Sequence, residues 1–359
     1  VRPAARDTSY RMVVAAGLRR ELGQLLLDAA GARHLWLVSD TRVARLYGEE
    51  VAANVRAAGW EPTPLTIRPG EGSKSWATLQ RLTRELVAAG ADRSALLVAL
   101  GGGVVGDVTG FLASIYLRGV PVVQVPTTLL AMVDAAIGGK TGINLAEGKN
   151  LVGTFHQPRQ VVIDPEFLLT LPWRERLNGV AELVKTAFIR DADLVSALET
   201  AGPELFRDRQ LKDREKLTDI ICRTAAHKAA VVSADEREGD LRRILNFGHT
   251  LGHAYEKASG YRLAHGAAVA LGMLAALEFS VQLTGLEAAE AARGRELLRV
   301  LGLPRTPPRL DPQAVLAALQ VDKKRQGERL VFVLLRRLGE AVICPDVPRS
   351  LIARWLVSQ

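Results

Sequence analysis

The sequence predicts an α/β domain over residues 1–172 followed by a mainly α-helical domain over residues 173–359. Three observations predict it. Short apolar runs bounded by Gly, Pro or Asp recur through the first half, helical patterns separate them, and after Pro172 long amphipathic stretches take over.

Residues 34–40 (HLWLVSD), 95–100 (ALLVAL), 120–125 (VPVVQV) and 161–164 (VVID) read as strands buried on both faces, because they are continuously apolar and too short for helices. Between them, 42–58 and 75–89 carry helical periodicity, which gives the strand–helix alternation of a parallel sheet. Beyond the boundary, helices are predicted over 179–201, 211–233, 244–259, 266–283 and 287–301, then a Pro-rich connection over 303–312. Residues 329–335 and 340–343 flank a turn at 336–339 and read as a small hairpin.

Composition narrows the function classes. The chain is 48% hydrophobic and 24% charged, which suits a soluble globular protein and argues against a disordered or fibrous one. Two cysteines, Cys222 and Cys344, are too few for a disulfide framework or a cysteine zinc site, so a reducing cytoplasm is expected. Neither a signal peptide nor a membrane span is readable. The net charge of +8 comes from scattered Arg and Lys interrupted by acids, with few aromatics for base stacking; an anionic small substrate is expected, and no nucleic-acid partner. Only 10 of the 47 basic residues are Lys, so each is informative: Lys74, Lys140, Lys149, Lys185, Lys228 and Lys323 all fall within motifs able to carry chemistry.

The first motif, Gly101–Asp107 (GGGVVGD), follows a predicted strand and opens a helix. Its glycines would let backbone N–H groups approach a pyrophosphate, although a plain strand-to-helix turn is the alternative. The acidic residue expected about 20 positions on is missing, which leaves Asp40 and Glu71 as candidate ribose partners. The second, residues 134–141 (DAAIGGKT), misses the P-loop pattern at Asp134 and follows a helix; Lys140, Lys149 and Asn150 are read as part of a Gly-rich loop able to hold an anion or simply to be solvated. In the third, residues 246–253 (NFGHTLGH), His249 and His253 share a helix face at i and i+4 and could reach one metal ion, with His265 beyond. The H-E-x-x-H pattern is absent. Glu182 is a candidate carboxylate ligand, with an exposed ion pair to Lys185 as the alternative. Together these motifs suggest a nicotinamide used beside a metal.

These blocks, with residues 117–158 (LRGVPVVQVPTTLLAMVDAAIGGKTGINLAEGKNLVGTFHQP), AELVK, LRRILNFGHTLGHAYE and HGAAVALGM, closely resemble the 3-dehydroquinate synthase family of sugar phosphate cyclases over most of the chain. The resemblance implies a non-standard Rossmann-like NAD-binding domain, a helical metal-binding domain, NAD and zinc (or cobalt) as cofactors, and a homodimer. It implies Glu182, His249 and His265 as metal ligands, and moves His253 to a substrate-side or proton-relay role. Asp134, Lys140, Asn150, Lys185, Lys228, Arg242, Asn246 and Lys323 match substrate-contacting positions. Arg118 is similar to the basic residue that reaches the substrate phosphate from the other protomer. Asp40, Glu71, Lys74, Gly102, Gly103, Asp107, Thr127 and Thr128 match NAD contacts, to which Lys149 is added.

The implied reaction converts 3-deoxy-D-arabino-heptulosonate 7-phosphate to 3-dehydroquinate and phosphate. It runs through transient oxidation at C5, phosphate elimination, re-reduction and an intramolecular aldol closure. Asn246, His253 and Lys323 keep the dehydroquinate-type pattern; another sugar phosphate cyclase or a metal-dependent polyol dehydrogenase is the alternative. Arg42 departs from the small polar residue common in the family.

Overall fold

Continuous apolar runs without polar alternation become strands covered on both faces. The computed structural model describes residues 8–27, 34–307, 310–326 and 330–358, the side chains of residues 320–326 excepted. The chain divides into two units, Val1–Leu171 and Pro172–Gln359.

In the first unit, β1 (Arg11–Val14), β2 (His34–Asp40), β3 (Glu61–Ile67), β4 (Leu96–Gly101), β5 (Val122–Pro126) and β8 (Gln160–Ile163) form an all-parallel sheet in the order β1-β8-β5-β4-β2-β3. Helices α1 (Leu22–Leu27), α2 (Glu49–Ala57), α3 (Trp76–Ala88) and α4 (Gly103–Ile115) accompany it. Ser75 starts α3 by accepting a hydrogen bond from the Thr78 amide at 3.3 Å. Leu79, Leu82 and Leu86 of α3 and Val105, Val108 and Phe111 of α4 share one core with Trp36, Val38, Leu97 and Ala99 of the sheet.

Two features depart from the expected pattern. Strand β3 carries Pro62 and Pro64, which hide it from a strand search; it lies at the sheet edge, where a missing N–H is tolerated. Lys140, Lys149 and Asn150, read as part of a Gly-rich loop, lie instead on an antiparallel hairpin, β6 (Lys140–Leu145) and β7 (Gly148–Phe155). Gly142 and Gly153 face each other across it, and a Cβ on Gly153 would collide with the Thr141 carbonyl oxygen.

The second unit contains α5 (Trp173–Arg190), α6 (Ala192–Ala201), α7 (Arg214–Ala234), α8 (His249–Ala258), α9 (His265–Leu283), α10 (Ala288–Val300), α11 (Pro312–Gln326) and α12 (Arg349–Val357), with a hairpin of β9 (Phe332–Arg337) and β10 (Glu340–Cys344). The helix expected over 179–201 is two helices. Asp191 breaks it in an extended conformation and caps α6, accepting from the Leu194 amide at 2.8 Å. The helix expected over 244–259 is likewise broken. A short 3-10 turn, Leu241–Asn246, ends before Gly248, whose φ of 76° admits few other residues, and α8 begins at His249. Helix α9 matches a membrane span in length and composition alone; 72% of that stretch is buried within this protein, as in a core helix.

Candidate functional site

Three helix positions far apart in sequence meet in the second unit. Glu182 lies mid-way along α5, His249 is the first residue of α8 and His265 the first of α9. Packing explains the convergence. Phe247 is fully buried with its ring 6.2 Å from that of Phe188 on α5, which ties the start of α8 to α5. A Cβ on Gly272 would collide with the Gly248 carbonyl oxygen, so α8 and α9 approach this closely only because that position is glycine. A Cβ on Gly266 would come within 2.5 Å of the Asn178 backbone, and the Gly266 amide donates to Asn178 Oδ1 at 3.1 Å. Asn178 stands one turn before Glu182, so the start of α9 is tied to α5 as well.

His249 Nε2 and His265 Nε2 lie 3.6 and 3.5 Å from Glu182 Oε1, and one ligand atom from each residue falls within 4.8 Å of the others. Glu182 is 1% exposed, and neither of its carboxylate oxygens has a well-aligned hydrogen bond. A buried carboxylate facing two imidazole nitrogens suits a divalent metal with a free coordination position. The Lys185 ammonium contacts Glu182 Oε2, and both residues are buried, so the exposed ion pair weighed from sequence is not what forms. Burial alone would raise the Glu182 carboxyl, but the Lys185 ammonium and the two imidazoles hold it well below the ordinary range. The histidines are pushed apart. Burial and then the Lys185 charge lower His249 to about 3, whereas for His265 the burial penalty is outweighed by Glu182 and Glu256, which raise it to about 10. The ring of His253 stands 5.3 Å from that of His249, beside the group rather than in it.

Lys185 is one of several cations buried in this unit. Lys185, Lys228 of α7 and Arg242 of the 3-10 turn are all under 9% exposed, and that turn packs against α5 and α7. Basic residues are rarely buried without an anion to meet. Arg242 is held by donating from NH1 to the Glu236 carbonyl at 2.6 Å, and Asn246 donates to Glu238 Oε1 at 3.4 Å. Lys323 falls on α11, but its side chain lies outside the described residues.

In the first unit the candidate nucleotide residues gather at the carboxyl ends of β2, β4 and β5. The chain leaves β2 toward β3 and β4 toward β5, in opposite directions, so β2 and β4 flank a topological switch point, the usual ligand position in open α/β sheets. Asp40 ends β2, where its Oδ1 accepts from the Arg42 and Val43 amides at 2.8 and 3.0 Å. Gly102 precedes α4 with no side-chain cap, and a Cβ on it would lie 3.0 Å from the Thr128 methyl group. A Cβ on Gly103 would lie 3.2 Å from that of Ala135. Thr127, 4% exposed, leaves its hydroxyl without a partner. A glycine cradle, an uncapped helix start and an orphaned hydroxyl fit a pyrophosphate and its ribose.

Lys74, 4% exposed, joins two predicted groups: its Nζ donates to Asp107 Oδ2 at 2.5 Å and also to Asn150 Oδ1. Asn144, which the sequence reading missed, ties Glu71 to this cluster. It donates to Glu71 Oε2 at 2.8 Å and accepts from the Asn150 amide at 2.9 Å, where Asn150 has a left-handed φ of 55°.

Asp134 sits in a π-type turn, Ala131–Ala135, and the chain then enters β6 at exposed Lys140. A strand follows the glycines where a P-loop needs a helix, so the near-match at residues 134–141 forms no P-loop cradle. Lys149 is exposed on β7. Arg118 is also exposed, beyond the carboxyl end of α4, about 20 Å along that helix from the glycine cradle. It follows Leu117, and both have left-handed φ, 45° and 67°.

Comparison with known proteins identifies the family. The family models described as 3-dehydroquinate synthase N-terminal and C-terminal match residues 64–178 and 179–325. The chain is 47% identical over 359 residues to a 3-dehydroquinate synthase of Synechococcus sp. (strain CC9605), covering 99% of this chain and 96% of that one. Among solved structures it is similar to 2-epi-5-epi-valiolone synthase from Streptomyces hygroscopicus subsp. jinggangensis with NAD+ and Zn2+ bound, at a TM-score of 0.90 and 33% identity over 100% and 98% of the two chains. It is also similar to 2-deoxy-scyllo-inosose synthase complexed with carbaglucose-6-phosphate, NAD+ and Co2+, at a TM-score of 0.87 and 27% identity over 97% and 96%. With both halves matched and nearly half of all positions shared with a full-length relative, the chain belongs to the 3-dehydroquinate synthase family.

Proposed function

We propose that the chain converts 3-deoxy-D-arabino-heptulosonate 7-phosphate to 3-dehydroquinate and phosphate with NAD and a divalent metal, as a cytoplasmic homodimer. One observation carries the reading: a buried Glu–His–His group, with ligand atoms within 4.8 Å of one another, occurs in a chain 47% identical to a 3-dehydroquinate synthase. When bound, the metal would supply Lewis acidity and NAD a reversible hydride acceptor.

The protein's own groups account for the rest. Glu182, His249 and His265 hold the metal. His253, beside them, takes the C5 hydroxyl proton. Lys185, Lys228, Arg242, Asn246 and Lys323 contact the substrate, as do Asp134, Lys140 and Asn150; cations among them neutralise the substrate's carboxylate and phosphate, and hold that phosphate where it accepts the C6 proton and departs with the electron pair of the C7–O bond, leaving a C6–C7 double bond. Asp40 and Glu71 bind ribose hydroxyls, while Gly102, Gly103, Thr127 and Thr128 cradle the NAD pyrophosphate. Lys74, Asp107 and Lys149 complete the cofactor contacts. Arg118, remote from the cradle on its own α4, serves the substrate phosphate of a second copy.

The test is phosphate release from the heptulosonate phosphate by metal-loaded protein with trace NAD, followed together with NADH absorbance, with and without a chelator. Chelator-sensitive phosphate release without net NADH is expected. Net NADH would indicate a polyol dehydrogenase, and no phosphate release would indicate another cyclase substrate; either overturns the proposal.

A further inference from the structure

We infer that Glu256 is a positioning residue of the metal centre, whose carboxylate holds the His265 ring with Nδ1–H turned away from the metal and Nε2 turned toward it. The inference rests on the proposed reading of Glu182, His249 and His265 as ligands.

Glu256 lies seven residues after His249 on α8, two turns along the same helix face. It is 5% exposed, and acids are rarely buried without a specific partner. Its Oε2 stands 3.3 Å from His265 Nδ1, while Nε2 of the same ring is 3.5 Å from Glu182 Oε1. One imidazole is therefore gripped at one nitrogen and presented at the other.

The connection between α8 and α9 enforces this. The Tyr261 amide and the Ser259 hydroxyl both donate to the Glu256 main-chain carbonyl, each at 2.7 Å, and the Leu263 amide donates back to Ser259 Oγ at 3.2 Å. This closed turn brings His265 back over the helix that carries Glu256. His249 is oriented in the same sense, with its Nδ1 3.2 Å from the Phe247 carbonyl oxygen. The two histidines thus have different supports, a neutral carbonyl for His249 and a carboxylate for His265. A carboxylate behind an imidazole fixes its tautomer and raises its basicity as a ligand, and removing such a support typically weakens metal binding by about 10–100-fold.

The experiment compares zinc dissociation constants of wild type, Glu256→Gln and Glu256→Ala, measured by competition with a chromophoric chelator, with thermal unfolding of each metal-free protein. Glu256→Gln keeps the shape of the side chain and guards against a variant that fails to fold. Its affinity is expected to fall by about 10–100-fold. Histidine-labelled 15N spectra of zinc-loaded wild type are expected to show His265 protonated at Nδ1. Wild-type affinity in Glu256→Gln overturns the inference, as does a change confined to metal-free stability. Wild-type protein that binds no zinc overturns the metal centre itself, and the inference with it.

Discussion

The metal group and the nucleotide end solve the same problem in opposite ways. At the nucleotide end, parallel strands all finish on one side, so Asp40, Gly102 and Thr127 become neighbours through sheet topology alone. In the second unit no sheet organises the site. Glu182, His249 and His265 come from three helices and meet because small residues let those helices touch, at Gly266 against Asn178 and at Gly272 against Gly248. A site built on strand ends tolerates change in its surroundings; one built on helix contacts depends on single atoms at the contact.

The largest effect is expected from His249→Ala. It removes one of three donors and should abolish both retained metal and phosphate release, while NAD binding, measured by fluorescence titration, persists. Zinc-stimulated turnover in that variant would show that the group is wrongly drawn.

Next is Gly272→Ala, which touches no ligand but inserts a methyl group where the Gly248 carbonyl stands. Overpacking of this kind costs about 1–3 kcal/mol. Thermal unfolding should move down, zinc affinity should fall, and NAD affinity should not change. An unaltered zinc affinity would mean that the helix contact does not set the group's geometry.

The smallest effect is acid sensitivity, for which each unit offers a carboxylate away from the metal group whose basic partners lower its pKa, buried Glu166 in the first and half-buried Asp191 in the second. Burial raises Glu166, but hydrogen bonds from Arg19 and Arg20 outweigh it and lower its pKa below 4.5. Asp191 is lowered below 3.8 against its burial by the Leu194 amide, His227 and Arg223. A folded-state pKa below the unfolded one adds stability that is present above the unfolded value and lost as pH falls through the folded value. Unfolding midpoints should therefore be level above about pH 5 and decline below about pH 4.5. Glu166→Gln and Asp191→Asn should each flatten that decline, and an unchanged acid slope in both would remove these pairs from the account.

Legibility in the sequence follows the same division. Strand β2 was readable because HLWLVSD carries an unbroken apolar run, Leu35 to Val38, and α3 because its leucines recur at helical spacing behind Ser75. Strand β3 was hidden by its prolines and the β6–β7 hairpin by its glycines, since an edge position and a cross-strand glycine pair exist only once the partner strands are in place. Glu256 could have been suspected from its seven-residue spacing from His249. Asn144 carried no signal, because its partners lie 73 and 6 residues away in opposite directions.

By itself, then, the sequence determined the α/β-then-helical order, the glycine turn that opens α4 and the residue types able to hold a metal, all of which depend on local periodicity and side-chain chemistry. Spacing could not choose between His253 and His265 as the companion of His249, because i,i+4 neighbours on one helix and residues on two packed helices can both reach one ion. The tertiary structure brings His265 Nε2 to 3.5 Å from Glu182 Oε1, where α8 and α9 approach closely at Gly272, and such a contact is a property of two surfaces pressed together that no single stretch of chain contains.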